Sequence, residues 1–241
     1  MNLLDRLLRR GAHSDPLGLN LKAGDSHYRA YVGPPVDYDR IAAMTFNLLT
    51  TVGLRQQHKV LDIGCGSLRV GRLLIPYLNK GNYLGVEPNG WLIKDGIRHE
   101  LGNDLVRIKK PVFIVADSLH ERADVAQVDF AFAQSVFSHT GLDLLHRWLE
   151  EISGALKPEG VLLATFLVDS QDSTGKGWVY PGCVKFRPET MREVAASHGY
   201  KFVLLDWHHP RQQWAMFAKP KFDSEWFETH PLSWNARATA G

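Results

Sequence analysis

The sequence contains little cysteine, since only Cys65 and Cys183 occur among its 241 residues. Two cysteines are too few for a disulfide scaffold or for a zinc site built on cysteine, and we expect no metal centre. The chain also lacks a run of about 18 apolar residues, which a membrane-spanning helix needs. Residues 1–10 lack the continuous apolar region of a signal peptide. These shortages favour a cytoplasmic protein without a transmembrane segment.

An excess of charge of one sign is missing as well. The 28 Lys and Arg residues are balanced by 26 Asp and Glu residues, which leaves a formal net charge of +2. A nucleic-acid-binding domain usually carries a clear excess of positive charge, so we expect no nucleic-acid partner. The 44% of hydrophobic residues is enough for a substantial core.

What the chain does contain is a short apolar segment that runs into a pair of glycines. Val60, Leu61 and Ile63 have the apolar character of a parallel strand that helices cover on both faces. Gly64 and Gly66 follow, and their lack of a Cβ lets the backbone approach a ligand closely. A strand, a tight turn and a helix N-terminus together present free N–H groups and partial positive charge. The segment therefore predicts a site for a nucleotide-like cofactor.

A third glycine is absent, and this absence separates two classes of cofactor. A dinucleotide-binding fingerprint has glycine or alanine three residues after the second glycine. This chain has Arg69 at that position, and Gly71 is out of register. The acidic residue Asp62, two positions before Gly64, instead resembles the first motif of class I S-adenosylmethionine-dependent methyltransferases. That family often has another glycine where this chain has Leu68.

The resemblance extends to the ends of the next three predicted strands. A second apolar strand ends at Glu87, about 20 residues after the turn, where a carboxylate accepts hydrogen bonds from ribose hydroxyls. The resemblance implies an adenine contact at Asp117 and Ser118, at the end of a third strand. It implies a contact with the amino-acid end of the cofactor near Gln134, after a fourth. The predicted cofactor site comprises Asp62, Gly64, Cys65, Gly66, Arg69, Glu87, Asp117, Ser118 and Gln134.

The resemblance, which covers roughly residues 60–218, also implies a fold. We expect a Rossmann-like, doubly wound α/β sheet of about seven strands with an antiparallel last strand, preceded by an N-terminal helical extension. We place the extension and cap at residues 1–55, the methyltransferase core at 56–220 and a C-terminal tail at 221–241. The amphipathic pattern of residues 1–10 predicts a helix that packs on the protein or on a partner subunit of a homo-oligomer. A weak contact with a membrane surface is the alternative.

The resemblance further implies S-adenosylmethionine as the cofactor, an already activated methyl donor. The protein then has to align an acceptor and, for a hydroxyl acceptor, remove its proton. His139, which follows the fourth strand, is the candidate general base. A turn residue between the helix-capping Ser138 and Thr140 is the alternative interpretation. Contacts with the substrate are expected from Tyr28, Tyr31, His208, His209 and Arg211.

Together these features predict methyl transfer to a small-molecule acceptor, with oxygen as the first choice. A nitrogen or carbon acceptor fits the same cofactor motifs, and a macromolecular acceptor stays open. A nicotinamide-dependent oxidoreductase is an alternative that Arg69 at the third-glycine position disfavours. A noncatalytic binding module is a further alternative, since a fold does not by itself establish an activity.

Overall fold

The computed structural model of the chain describes residues 15–120, 122, 125–230 and 232. The helix predicted over residues 1–10 lies outside the described residues. One-turn helices occur at Pro35–Asp37, Ile97–Leu101 and Phe137–His139. The longer elements are α1 (Tyr38–Thr51), β1 (Val60–Ile63), α2 (Gly71–Tyr77), β2 (Tyr83–Val86), α3 (Gly90–Gly96), α4 (Asn103–Lys109), β3 (Val112–Ile114), β4 (Val128–Ala133), α5 (Leu142–Ala155), β5 (Leu156–Val168), β6 (Lys185–Phe186), α6 (Pro188–Ser197), β7 (Lys201–Leu205), β8 (Gln213–Ala218) and α7 (Glu225–Thr229).

The strands form one mixed sheet in the order β3-β2-β1-β4-β5-β8-β7, and the two-residue β6 pairs with β5. Strands β1 to β5 run parallel, whereas β8 is antiparallel to both β5 and β7. The predicted Rossmann-like sheet with antiparallel closing strands is therefore confirmed. Parallel strands place their carboxyl ends at one edge, so the segments after β1, β2 and β4 meet there.

Two apolar cores cover the two faces of this sheet. Neighbouring residues of β1 belong to different cores, because successive side chains of a strand point to opposite faces. Leu61 and Ile63 pack with buried residues of α5 and α6. Val60 packs on the other face with buried residues of α1 and α2. This two-sided burial explains why all four residues of β1 are buried although one of them is an aspartate.

The third strand is shorter than predicted. It ends at Ile114, whereas the sequence predicted a strand that ends at Asp117. Among the described residues, the only sheet partner of β3 is β2, and the last residue of β2, Val86, pairs with Ile114. Val115 is 63% exposed. Without a partner strand beyond this point, the chain continues as a loop, which carries Asp117 and Ser118.

Candidate active site

The glycine turn after β1 adopts backbone conformations that favour glycine. Gly64 has φ +69° and Gly66 has φ +52°. A Cβ on Gly64 would lie 2.6 Å from Cγ2 of Val136, and a Cβ on Gly66 would lie 2.7 Å from Cγ1 of Val32. The turn is thus enclosed by the segment before α1 on one side and by the segment after β4 on the other.

Leu68 takes the place of the missing glycine without changing the type of conformation. Its φ is +61°, in the left-handed region that glycine adopts at no cost. A non-glycine residue pays about 1–2 kcal/mol for this conformation. The side chain of Leu68 is fully buried in the core shared with α1 and α2. Burial of a leucine contributes a similar amount, so the packing offsets the backbone cost.

We expect Gly66→Ala to lower the free energy of unfolding by more than the about 1–2 kcal/mol that a positive φ costs. The added Cβ also collides with Val32, so Val32→Ala in the same chain should recover part of the loss. Gly199→Ala is the control, because Gly199 has φ +73° and a Cβ added there would have nothing within 4 Å. Urea denaturation of Gly66→Ala, Val32→Ala, the double variant and Gly199→Ala measures the coupling. Equal losses for Gly66→Ala and Gly199→Ala would contradict the close approach of Val32.

Asp62 is buried beneath the turn and has one hydrogen-bond donor. The hydroxyl of Tyr83 donates to its Oδ2 at 2.7 Å. Burial raises the pKa of Asp62 to about 7, and the hydrogen bond from Tyr83 and the charge of Arg69 only partly oppose this rise. Burial also raises the pKa of Cys65. Its Sγ packs so closely on Gly85 that a Cβ added to Gly85 would lie only 2.9 Å away. Cys65 is therefore a small packed residue and not a thiolate nucleophile.

Glu87, directly after β2, connects the second strand to the glycine turn. Its Oε2 accepts a hydrogen bond from the backbone N–H of Gly66 at 3.2 Å. Its Oε1 accepts two from Asn89, from the backbone N–H and from the side-chain amide, both at 2.8 Å. Burial raises the pKa of this carboxyl group. A carboxylate has about four acceptor positions, so one position of Glu87 is left for a further donor.

An open cleft lies between the turn and the end of β4. Six of its lining residues were predicted from the sequence: Asp62, Gly64, Cys65, Gly66, Arg69 and Gln134. Val32, Val70 and Phe132 also line the cleft and were not predicted from the sequence. Phe132 lies in β4, two positions before Gln134, and in a strand that continued to Gln134 this spacing would put both side chains on one face of the sheet. The two-residue alternation of a strand could therefore have predicted Phe132 as a lining residue.

Arg69 lies in the turn before α2, and its side chain crosses the cleft. Its guanidinium donates to the backbone oxygen of Val32 at 2.9 Å and to Oε1 of Gln134. Burial lowers the pKa of Arg69 to about 10, so the guanidinium remains charged at neutral pH. Arg69 therefore connects the segment before α1 to the end of β4 and places a buried positive charge between them.

His139 lies in the one-turn helix Phe137–His139, after β4. Its Nδ1 lies 2.6 Å from the carbonyl oxygen of Gly182. Because a carbonyl oxygen only accepts hydrogen bonds, Nδ1 carries the proton and Nε2 keeps its lone pair. Burial lowers the pKa of His139 from its usual 6.5, which favours the neutral ring. His139 is therefore held in a tautomer that can accept a proton at Nε2.

His209, in the loop between β7 and β8, has the opposite tautomer. The backbone N–H groups of Arg211 and Gln212 donate to its Nδ1 at 3.2 and 2.9 Å. Nδ1 is thus an acceptor, and Nε2 carries the single proton of the neutral ring. Burial, together with the charges of Arg69 and Arg211, lowers the pKa of His209 to about 3. His209 offers a hydrogen-bond donor and not a base.

The remaining predicted substrate residues occupy different surroundings. Tyr28 is buried, and its hydroxyl donates to Glu100 at 3.0 Å, so it packs in a cluster apart from the cleft lining. The exposed Arg211 pairs with Asp37. His208 is exposed. Tyr31 adjoins Val32 of the cleft, and its ring packs against other aromatic rings.

Those rings form an aromatic cluster, which consists of Tyr31, Trp91, His139, Trp178 and Tyr180. Tyr31 packs against Trp91 and Tyr180, with ring centroids 5.2 and 5.4 Å apart. His139 packs against Tyr180 and Trp178, with centroids 5.1 and 5.6 Å apart. Trp91 and Trp178 are 37% and 54% exposed. An apolar surface that solvent can reach therefore adjoins the ring of His139.

Two kinds of site are absent from the part of the chain that the structure describes. Within it, no group of three or more His, Cys, Asp or Glu residues is placed to hold a metal ion. None of the helices in the same ranges is long and apolar enough to cross a membrane.

Comparison with known families and structures agrees with the geometry. Residues 61–162 match a family model described as a methyltransferase domain. The match begins within β1 and ends within β5, so it includes the glycine turn, Glu87 and Gln134. The family match therefore covers the strands whose carboxyl ends surround the cleft.

Several solved structures share the fold. A magnesium protoporphyrin IX methyltransferase from Synechocystis PCC 6803 with bound S-adenosylmethionine has 11% identity and a TM-score of 0.59, over 89% of this chain and 96% of that one. A complex of DhpI with S-adenosylhomocysteine has 19% identity and a TM-score of 0.53, over 80% and 94%. A putative O-methyltransferase from Nostoc punctiforme PCC 73102 has 15% identity and a TM-score of 0.58, over 77% and 57%.

At these low identities the structures show that the fold is shared. The family match covers strands β1 to β4 and part of β5, and the strand order continues the same fold through the antiparallel pair β7 and β8. Residues 61–162 therefore match a methyltransferase domain, and the chain has the fold of solved S-adenosylmethionine-dependent methyltransferases.

Proposed function

We infer that this methyltransferase transfers the methyl group of S-adenosylmethionine to an oxygen atom of a small-molecule acceptor, and that His139 removes the proton of that acceptor. The observation that carries the inference is the tautomer of His139. The carbonyl of Gly182 holds the proton on Nδ1, and the lone pair of Nε2 is left for a hydroxyl proton. An amine that reacts as the free base has less need of such a group.

The described residues fit the cofactor. Gly64, Cys65 and Gly66 of the glycine turn line the cleft. Glu87 has an acceptor position left for a ribose hydroxyl, and Arg69 and Gln134 line the part of the cleft toward β4. Asp117 and Ser118 lie in the loop after β3, and we assign them to the adenine end. Bound there, S-adenosylmethionine supplies a methyl group on a positively charged sulfur, which needs no further activation.

The chain's own residues then perform alignment, exclusion of water and proton removal. The aromatic cluster offers an apolar surface beside His139 for the carbon skeleton of the acceptor. Nε2 of His139 takes the hydroxyl proton of the acceptor, so that the acceptor oxygen can bond to the methyl group that S-adenosylmethionine would supply by breaking its methyl–sulfur bond. The carbonyl of Gly182 holds Nδ1–H, so it stabilises the charged imidazolium that results.

Two measurements test the proposal. Calorimetry of the full chain should show binding of S-adenosylhomocysteine and no comparable binding of NAD. Radiolabelled S-adenosylmethionine should then methylate acceptors of a metabolite panel that carry a hydroxyl group, in preference to matched compounds with an amine at the same position. Transfer only to the amines would contradict the oxygen acceptor. Binding of NAD alone would contradict the whole proposal.

We expect Glu87→Gln to weaken the binding of S-adenosylhomocysteine by about 10- to 100-fold, because a charged acceptor of hydrogen bonds contributes about 1.5–3 kcal/mol. Calorimetry provides the dissociation constants. Glu150→Gln, at an exposed position of α5, is the matched control. An analogue without the two ribose hydroxyls should bind wild type and Glu87→Gln almost equally. A similar loss for that analogue would mean that Glu87 acts on the turn and not on the ribose.

A further inference from the structure

The side chains of His209 and Gln134 approach each other, and each presents a hydrogen-bond donor to the other. Their Nε2 atoms are 3.3 Å apart. The backbone N–H groups of Arg211 and Gln212 hold the proton of His209 on Nε2. Oε1 of Gln134 accepts from Arg69, which fixes the amide with its NH₂ group toward His209. Two N–H donors therefore face each other without an acceptor, an arrangement that a bound oxygen atom would satisfy.

The other hydrogen of the Gln134 amide already has an acceptor. Nε2 of Gln134 donates to Oγ of Ser135 at 2.6 Å. Ser135 has φ +60°, which is rare for a residue other than glycine, and its own N–H donates to Thr165 at 2.7 Å. This conformation holds Ser135 beneath the amide, so Gln134 cannot turn its NH₂ group away from His209 without losing that bond. Strained positions of this kind concentrate at ligand sites.

The electrostatic surroundings favour a negatively charged oxygen. The guanidinium of Arg69 is bound to Gln134, and that of Arg211 lies near His209. Asp37, the acidic group that acts on His209, already pairs with both Arg211 and Arg40. The two arginine charges also keep a further proton off the imidazole, so Nε2–H remains a neutral donor. A carboxylate or phosphate oxygen would therefore meet two N–H donors and a net positive field.

The sheet order places this donor pair on the acceptor side of the cleft. Gln134 follows β4 and His209 precedes β8, whereas Glu87 follows β2. In the order β3-β2-β1-β4-β5-β8-β7, β4 and β8 lie on the opposite side of β1 from β2. His139 is only five residues after Gln134. The pair is thus at the end of the site that contains the proposed base.

We propose that His209 and Gln134 bind an anionic oxygen of a carboxylate or phosphate group that the methyl acceptor carries. The proposal rests on the proposed function and specifies its acceptor as an anionic small molecule with a separate hydroxyl group. The carboxylate of the cofactor's own amino-acid end has the same chemistry and is the other possible source, so the test has to separate the two.

The test uses the full chain labelled with ¹⁵N-histidine, whose spectra report the protonation of each ring nitrogen. His209→Asn assigns the signals of His209. His209→Asn also removes the Nε2–H donor and leaves the loop contacts in place. The asparagine oxygen can accept hydrogen bonds from the two backbone N–H groups that donate to Nδ1 of His209. Gln134→Leu removes the other donor, and the exposed His146→Gln is the control. The probes are acetate and inorganic phosphate, added to protein saturated with S-adenosylhomocysteine.

We expect acetate or phosphate to shift the Nε2–H signal of His209. Calorimetry should give about tenfold weaker binding of the anion to His209→Asn and to Gln134→Leu, and unchanged binding to His146→Gln. A shift that S-adenosylhomocysteine produces and its decarboxylated analogue does not would assign the pair to the cofactor and overturn the proposal. A proton on Nδ1, or no response to either anion, would also overturn it.

A failure of the anion-binding proposal can be distinguished from a failure of the proposed function. If S-adenosylhomocysteine does not bind at all, the methyl-donor assignment fails. The same anions added to the protein alone still test the donor pair, because the contacts that hold the tautomer are made within the chain.

Discussion

Replacement of His139 by alanine is expected to lower kcat by about 10²- to 10⁴-fold, the usual contribution of a general base. The dissociation constant of S-adenosylhomocysteine should stay the same, since the cleft lining does not include His139. In the wild type, the rate should fall as the pH drops through the pKa of His139, because a protonated Nε2 cannot accept the acceptor proton. That pKa is lowered from 6.5 by burial, so the fall should begin below pH 6.5.

His139→Ala should lose this decrease of the rate at low pH, together with most of the rate itself. His146→Ala is the matched control, because His146 is an exposed histidine on α5. His139→Gln helps to separate packing from proton transfer, since it keeps a polar side chain beside Tyr180 and cannot serve as the base. Full activity of His139→Gln would remove proton transfer by His139 from the mechanism. A large loss of cofactor affinity in His139→Ala would assign it a structural role.

Asp62→Asn is expected to remove a pH-dependent loss of stability of up to about 4 kcal/mol. The pKa of Asp62 rises from 3.8 to about 7 on folding. Between these pH values the folded chain keeps a proton that the unfolded chain has released. The free energy of unfolding of the wild type should therefore decrease as the pH rises from 4 to 7. The asparagine of the variant carries no charge, and its side-chain oxygen can still accept from Tyr83.

Urea denaturation at about pH 4.5, 6 and 8 measures the effect, and the advantage of the variant should grow with pH. The control is Asp104→Asn, which makes the same substitution at a position where the carboxylate is 89% exposed. Glu87 has a pKa that burial also raises, so a smaller slope of the same sign should remain in the variant. An advantage for Asp62→Asn that does not change with pH would mean that Asp62 titrates as it does in water.

The side of the cleft that the glycine turn forms was predictable from the sequence because it depends on local patterns. The residues from Val60 to Gly66 show a buried strand and a glycine turn within seven positions, and Glu87 follows the next apolar run. Parallel strands bring such segments to one edge whatever the details of packing. For this reason six predicted residues line the cleft, and Glu87 contacts Gly66.

Other features depend on partners that are distant in the sequence. The end of β3 is decided by the length of β2, its only partner among the described strands. Val32 reaches Gly66 because the segment before α1 folds back over the turn. No local pattern around Val32 indicates this contact. Trp178 and Tyr180 reach His139 in the same way, through the loop after β5.

The sequence by itself determined the fold class, the methyl-donor family and the residues of the glycine turn, because strand periodicity and glycine conformation act over a few residues. It also singled out His139 as the candidate base and His209 as a candidate substrate contact, but it did not say which ring nitrogen of either residue carries the proton. Only the tertiary structure decided that. A carbonyl 43 residues away holds the proton on Nδ1 of His139, whereas two N–H groups of its own loop hold it on Nε2 of His209. The hydrogen-bond partner decides which nitrogen is free, and that partner is set by folding.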